Sequence, residues 1–352
     1  MSRDVLLSIY IATYNRLSII NDKIRNILKL ESEDFDIWVL DDCSDDGTYE
    51  ELKKINDTRL HILRNKSRKG CLKDGAMTNW YRLLEECDGL FMLHLNDRDV
   101  LHGDVLFDFI RFLKNHKDYS GGICDSYSGV KIYESPEESL LSIPYRAVHP
   151  TGVVFRTDLY RSILRREEYF TKERSYIHPH DLVLGDLSRY GKMFEFYKIY
   201  NLADTNSFAN NRSFLYKRGS EHTSWFSPEE RTKEFELFII HLSGLDFKEA
   251  IKKQKALKIA KSYLYYCTFN YMFYVTDPGQ TQHYGIEPQK ITGKDLFREM
   301  KKYILKSGAI LKQNNLIDDV VSYQMKLTSY FWMIYIGKPL WDLYKKGANR
   351  KW

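Results

Sequence analysis

Short apolar runs alternate with segments of helical spacing through the first hundred residues, and this alternation constrains the fold more than any other feature. Val5 to Ala12, Phe35 to Leu40, Leu60 to Leu63 and Leu90 to Leu95 each read as a buried strand. Between them, Leu17 to Leu30 sets Ile20, Ile24, Ile27 and Leu28 at helical spacing. A second helix is expected from Thr48, with Thr48 and Glu51 at capping-box spacing, and a third runs to about Glu86. Strands joined by helices in this way build a mostly parallel sheet covered on both faces. Ligands of such sheets gather outside the carboxyl ends of the strands. Three of the runs end there in polar clusters: Thr13-Tyr14-Asn15-Arg16, then Asp41-Asp42-Cys43-Ser44-Asp45-Asp46-Gly47, then Asn96-Asp97-Arg98-Asp99. A buried strand that delivers carboxylates at its end is a place for a ligand or a metal.

Past Asp104 the pattern predicts a helix, a strand at Gly121 to Ser126, a mobile connection over 127–147, a strand at Thr151 to Phe155, and a helix from Asp181 to Tyr190 stopped by Gly191. From about Asn210 the texture becomes helical: Pro228 to Leu242, Lys248 to Phe273, Lys294 to Leu311 and Leu316 to Tyr335. With 352 residues the chain divides into an α/β region, residues 1–210, and a mainly helical region, residues 211–352. A net charge of +5 is only mildly basic, and no zinc-finger pattern or concentrated basic stripe calls for nucleic acid. The excess suits anionic ligands or lipid surfaces. Five scattered cysteines with no CxxC indicate neither a disulfide framework nor a zinc site. No apolar run is long enough to span a bilayer, and the start leaves no room for a secretory leader, so a cytoplasmic protein is expected.

The three strand-end clusters, in this order and at this spacing, resemble the successive motifs of family 2 glycosyltransferases with the GT-A fold. The resemblance covers roughly residues 5–205, is strongest before residue 105 and is absent from the last third. It implies a GT-A-like sheet flanked by helices and followed by a helical carboxyl-terminal region. It also implies an inverting enzyme that moves a sugar from a nucleotide-sugar, usually a UDP-sugar, to the hydroxyl of a glycan or lipid-linked glycan acceptor, as in bacterial surface polysaccharide synthesis.

Under that resemblance Asp42 accepts a hydrogen bond from the base ring N–H, with Asp41 supporting the turn, and Thr13 and Tyr14 line the base pocket, Tyr14 offering a stacking face. The basic segment with Lys66, Arg68, Lys69, Lys73 and Arg82 approaches the nucleotide, Lys73 toward the diphosphate or ribose, and Asn79-Trp80 packs beside the donor. The family's usual Asp-x-Asp-Asp is altered here. Aligned on Leu95 it becomes Asn96-Asp97-Arg98-Asp99; shifted by one, Asp97-Arg98-Asp99 is the working motif. Mn²⁺ or Mg²⁺ then binds through Asp97 and Asp99, or Arg98 supplies part of the charge that a metal would. His222 is a candidate to complete the metal shell, within a polar stretch that also holds Arg212, Lys217, Arg218 and Trp225. The catalytic base corresponds to Asp181, preceded by His180, with Asp186 the lesser candidate. His149-Pro150-Thr151-Gly152 resembles the strand entry beneath the acceptor.

The last third carries no catalytic motif. Tyr263, Tyr265, Tyr266, Phe269, Tyr271, Phe273 and Tyr274 read most simply as core. Tyr330 to Ile336, followed by Lys338, Trp341, Lys345, Lys346, Arg350 and Lys351, also fits an interfacial segment, which would set the protein at the inner face of the membrane. Two rivals share the fold. A sugar-phosphate nucleotidyltransferase needs a Gly-rich basic loop after the first strand, and Thr13-Tyr14-Asn15-Arg16 is not one. A non-catalytic nucleotide- or glycan-binding relative is favoured by the altered Asn96-Asp97-Arg98-Asp99.

Overall fold

The structure is a computed structural model that describes residues 4–69, 76–146, 149–170, 178–201, 227–279, 281 and 287–348. The chain forms two compact units, residues 1–214 and 215–352.

The first unit opens with strand β1 (Leu7–Thr13), helix α1 (Leu17–Leu28), β2 (Phe35–Asp41), α2 (Thr48–Leu52), β3 (Leu60–Arg64), α3 (Ala76–Glu86) and β4 (Phe91–His94). There follow β5 (Val100–Leu101), α4 (Gly103–Asn115), β6 (Gly121–Ser126), β7 (Lys131–Tyr133), α5 (Pro136–Ser142), β8 (Val153–Arg156) and α6 (Thr157–Ser162). A 3₁₀ turn (Arg166–Phe170), α7 (Pro179–Ser188), β9 (Met193–Tyr197) and β10 (Tyr200–Asn201) complete it. The main sheet has eight strands in the order β3-β2-β1-β4-β8-β6-β9-β7, and β5 pairs with β10 in a separate ribbon. Only β8 and β7 run against the other six strands. The mostly parallel, helix-covered sheet expected from the alternation is therefore present.

Period-two alternation splits the strands between two apolar layers. Leu7, Ile9, Ile11, Ile37 and Val39 pack with Ile20, Ile24 and Ile27 of α1 and Phe109 of α4. Tyr10, Leu40, Met92 and Phe155 pack on the opposite face with Leu83 and Leu84 of α3 and Val183, Leu184 and Leu187 of α7. Burial of each such side chain contributes about 1.5–3 kcal/mol.

Two expectations fail here. The stretch 127–147 is not a bare connection over its described part: β7 pairs antiparallel with β9, and α5 starts in a capping box in which Ser135 and Glu138 bond each other's backbone. A three-residue strand and a two-turn helix are too short to give a periodic signal. The capping box expected at Thr48 and Glu51 does not form. Gly47, at φ +89°, is the N-cap, and the Thr48 hydroxyl instead accepts the Arg16 N–H at 3.0 Å.

The second unit is helical: α8 (Pro228–Gly244), α9 (Glu249–Thr276), α10 (Gly293–Gln313) and α11 (Val320–Ala348). Phe235, Phe238, Tyr263, Leu264, Met300 and Tyr303 fill its centre, while Tyr265 and Phe273 of the aromatic helix face outward. A buried Arg231–Glu234 ion pair receives the Tyr263 hydroxyl at 2.9 Å. On α11, Phe331 is buried and Trp332, Met333 and Ile336 are exposed. Among the described residues no helix is long and apolar enough to cross a membrane.

Candidate active site

The site is built from what β1, β2 and β4 deliver at one edge of the sheet. Thr13 ends β1 in register with Asp41 at the end of β2, and the Asp42 N–H donates to the Thr13 carbonyl at 2.9 Å. Asn15 adopts φ +50°, which asparagine tolerates better than most residues. Its side chain bonds Asp45 in both directions: Nδ2 donates to Oδ1 at 2.7 Å, and Oδ1 accepts the Asp45 N–H at 3.1 Å. The Leu17 N–H donates to Asp46 Oδ2 at 3.1 Å, so the second cluster satisfies an orphan donor at the start of α1.

Asp41 and Asp42 have separate surroundings. Asp41 is fully buried and takes the Ser44 N–H at 3.1 Å, with the Arg64 guanidinium at 3.3 Å. That is the turn-supporting geometry expected of it. Asp42 Oδ1 accepts from Asn65 Nδ2 at 2.7 Å and from the Lys69 N–H at 2.9 Å. Asn65 also donates to Asn79 Oδ1 at 2.7 Å and receives Arg82 at 2.8 Å, so Asp42 and Asn79 belong to one network. The Arg68 guanidinium lies 4.0 Å above the Tyr14 ring. Lys73 lies outside the described residues.

The Asn96–Asp99 loop joins this network to the rest of the rim. Asp97 Oδ2 accepts from Arg16 Nε at 3.2 Å and Thr13 Oγ1 at 3.4 Å. The Lys23 ammonium reaches over from α1 and donates to the backbone carbonyls of Asn96, at 3.2 Å, and of Asp97. Burial pulls the Lys23 ammonium down to about 8, against the restoring charges of Asp97 and Asp99. Arg98 is half-buried and opposes the same ammonium. Asp99 points the other way. Its Oδ2 accepts from the Thr151 hydroxyl at 2.5 Å, faces His149 Nε2 at 2.6 Å, and takes Asn96 Nδ2 at 3.3 Å. His94, beneath the loop, meets Asn96 Oδ1 at 3.2 Å and the edges of the Tyr10 and Trp80 rings. Burial holds it near 3, so it is neutral at physiological pH.

The position of α7 follows from topology. β6 is parallel to β4, because both pair antiparallel with β8. Ser120, entering β6, bonds the carbonyls of Gly191 and Lys192, so α7 ends at the amino edge of the sheet. A ten-residue helix is about 15 Å long, so α7 begins toward the carboxyl edge, the edge that carries the three clusters. Asp181 sits in its first turn, fully buried, with Oδ1 accepting the Arg146 N–H at 3.2 Å. Asp186 is one turn further in, bonded by the Tyr169 hydroxyl at 2.5 Å, away from the helix start. His180 is also buried, in edge contact with His178.

Asp97 and Asp99 offer the hard carboxylate oxygens that Mn²⁺ or Mg²⁺ takes. They engage different partners, and among the described residues no three His, Cys, Asp or Glu side chains are grouped to hold an ion. His222 lies outside the described residues, as do Arg212, Lys217, Arg218 and Trp225. The donor set therefore fits a divalent cation in part. The sequence reading missed Arg16, Lys23 and Asn65, and saw His149 and Thr151 without their link to Asp99. Lys23 left a trace: it interrupts the apolar stripe of Ile20, Ile24 and Ile27 on the buried face of α1.

Residues 8–168 match the family model described as Glycosyl transferase family 2, so the resemblance covers most of the α/β unit and less than half of the chain. Among curated relatives, it is 24% identical over 260 residues to the poly(ribitol-phosphate) beta-N-acetylglucosaminyltransferase TarS of Staphylococcus aureus. The match takes in 70% of this chain and 42% of the relative, so the chain spans less than half of the curated relatives that it matches. Crystal structures of S. aureus TarS share the fold. Residues 1–349 of TarS give a TM-score of 0.59 at 15% identity, covering 95% of this chain and 92% of that one. The same TarS fragment in complex with UDP-GlcNAc gives 0.58 at 17% identity, with the same coverage.

Proposed function

We propose that this chain is an inverting glycosyltransferase that moves a sugar from a UDP-sugar to a hydroxyl of a cell-surface glycan or glycoconjugate, with residues 1–210 as the catalytic domain. The observation that carries this reading is the cross-linked rim: Asp42 tied to Asn65 and Asn79, Thr13 and Arg16 tied to Asp97, and Asp99 tied to Thr151. The match of residues 8–168 to the glycosyl transferase family 2 model supports the chemistry. The TarS relative, named for N-acetylglucosamine transfer to poly(ribitol phosphate) and crystallised with UDP-GlcNAc, supports a UDP-sugar donor and a surface-polymer acceptor.

In this reading Asp42 accepts the ring N–H of uracil, and Tyr14 gives the base an aromatic face in the place now shared with Arg68. Thr13 closes the base pocket, Asn79 fixes Asn65, and Lys73 meets the diphosphate. Arg98, with Arg16 and Lys23 behind it, puts positive charge where the diphosphate departs. Asp181 removes the acceptor proton as the oxygen attacks the anomeric carbon opposite the leaving diphosphate, which inverts that centre. Mn²⁺ or Mg²⁺, held by Asp97 and Asp99, would serve as a Lewis acid toward that diphosphate. The protein acts in the cytoplasm, with the exposed Trp332, Met333 and Ile336 of the carboxyl-terminal helix as its contact with the inner membrane face, where lipid-linked acceptors lie.

The engagement of Asp97 by Arg16 and of Asp99 by His149 favours one rival, a binding relative without turnover. Incubation with UDP-GlcNAc, UDP-glucose and UDP-galactose, with and without Mn²⁺, and with a poly(glycerol phosphate) acceptor or water to take the sugar, separates the two. Transfer predicts release of UDP and a product of inverted configuration by NMR. Saturable binding with no UDP release over hours would leave the rival standing.

A further inference from the structure

On the far side of Asp99 from the nucleotide network, two tyrosines flank one lysine. β6 ends at Ser126, and the next residue, Tyr127, is 82% exposed. Lys198 follows β9 and is pinned beside it by its N–H to the Ser126 carbonyl at 3.1 Å. Its ammonium donates to the Tyr127 hydroxyl at 2.8 Å and lies 5.2 Å from that ring and 4.8 Å from the Tyr200 ring. Asp125 forms an ion pair with it at 3.8 Å and also receives the Tyr200 hydroxyl at 3.4 Å. Tyr200 is buried, and its ring lies 6.0 Å from that of His149, which contacts Asp99. The path from the exposed Tyr127 face to the rim is therefore continuous: Tyr127, Lys198, Tyr200, His149, Asp99.

This cluster has the properties of a preorganised subsite. A lysine on a free surface loses rotamer entropy when it binds; Lys198, its side chain only 18% exposed, is already held. An ammonium has three donors, and one is used on Tyr127. Asp125 pairs with it at 3.8 Å without taking a hydrogen bond, so donors remain for a phosphate oxygen. The neighbouring ring offers a flat apolar face for the C–H edges of a polyol or sugar. A ring beside a fixed cation matches a chain that alternates carbon backbone with phosphate.

We propose that Tyr127 and Lys198 form an acceptor subsite for a phosphodiester-linked polyol or sugar chain, with phosphate on the Lys198 ammonium and the adjoining carbon unit on the Tyr127 ring. It rests on the transferase reading for its role, since the subsite holds the chain whose hydroxyl enters the rim.

The test uses the full chain and two dye-labelled probes, a synthetic glycerol-phosphate hexamer and neutral maltohexaose, titrated by fluorescence anisotropy. UDP-GlcNAc, UDP-glucose and UDP-galactose are titrated separately by calorimetry. The wild type binds the phosphate hexamer with salt-dependent affinity and binds maltohexaose weakly. Lys198→Gln lowers hexamer affinity by about tenfold or more, Tyr127→Ala by about threefold, and Lys198→Arg retains most of it, while UDP-GlcNAc affinity stays unchanged in all three. Equal binding of the two probes, hexamer affinity unaffected by Lys198→Gln, or no hexamer binding to the wild type would each overturn the proposal. Failure of UDP-GlcNAc, UDP-glucose and UDP-galactose alike to bind while the hexamer result holds would overturn the transferase reading and leave the subsite.

Discussion

Replacing Asp42 with asparagine changes one oxygen to an amide nitrogen and nothing in size. Asp42 Oδ1 already serves Asn65 Nδ2 at 2.7 Å and the Lys69 N–H at 2.9 Å. Those two bonds fix which end of the amide must be oxygen, so Asp42→Asn turns its Oδ1 toward them and its NH₂ toward the base pocket. The ring N–H of uracil then meets a donor in place of a carboxylate. A hydrogen bond to a charged group contributes about 1.5–3 kcal/mol, and 1.4 kcal/mol is tenfold in a dissociation constant. UDP should therefore bind roughly 10- to 150-fold more weakly. Isothermal titration of UDP into wild type and variant reads this directly. Thermal melting without ligand, expected to differ little because Asn65 and Lys69 keep their partner, excludes unfolding as the cause. UDP affinity within twofold of wild type, in a variant that melts normally, would refute the assignment of Asp42 to the base.

Three further outcomes are expected. Gly152 holds φ +91°, and a Cβ there would lie 2.9 Å from the Cys124 carbonyl and 3.0 Å from the Tyr200 ring. Gly152→Ala should cost about 1–3 kcal/mol in denaturant titration, and an unchanged midpoint would contradict that packing. The folded value of His94, near 3, lies below the ~6.5 of an unfolded imidazole, so between the two the unfolded chain binds the extra proton. Stability is therefore lost as pH falls through this window, by about 2 kcal/mol at pH 5. His94→Leu should flatten the dependence between pH 7 and 5; a slope equal to wild type would place the proton elsewhere. Lys23→Met removes the ammonium shared by the Asn96 and Asp97 carbonyls, and turnover should fall by about tenfold or more as the loop loses its anchor. Wild-type rates would show that the loop holds itself.

The sheet was legible in sequence because β1, β2 and β4 are buried on both faces, which makes their apolar runs nearly continuous. β7 escaped because two of its three residues are exposed, and α5 because its signal is a cap without a long stripe behind it. Burial at strand ends explains why Asp41, Asp42 and Asp99 stood out: each carboxylate follows an apolar run that sets its depth. Their partners were not readable. Thr13 and Asp97 are 84 residues apart, Asp99 and Thr151 52, and Lys23 and Asp97 74. No local pattern links such pairs; only the assembled sheet does. The separate environments of Asp97, toward Arg16, and of Asp99, toward His149, likewise depend on which way a four-residue loop turns its side chains. The connection between the start of α7 and the rim came from strand order, which one sequence alone does not give.

The central claim, that one rim grips a sugar nucleotide and aims a buried carboxylate at its partner, is tested most directly by separating binding from transfer in Asp181→Asn. The account predicts UDP-sugar affinity within twofold of wild type by calorimetry, an unchanged melting midpoint, and transfer lowered by about a hundredfold or more. Transfer at the wild-type rate, or loss of UDP-sugar binding in a variant that remains folded, would contradict it.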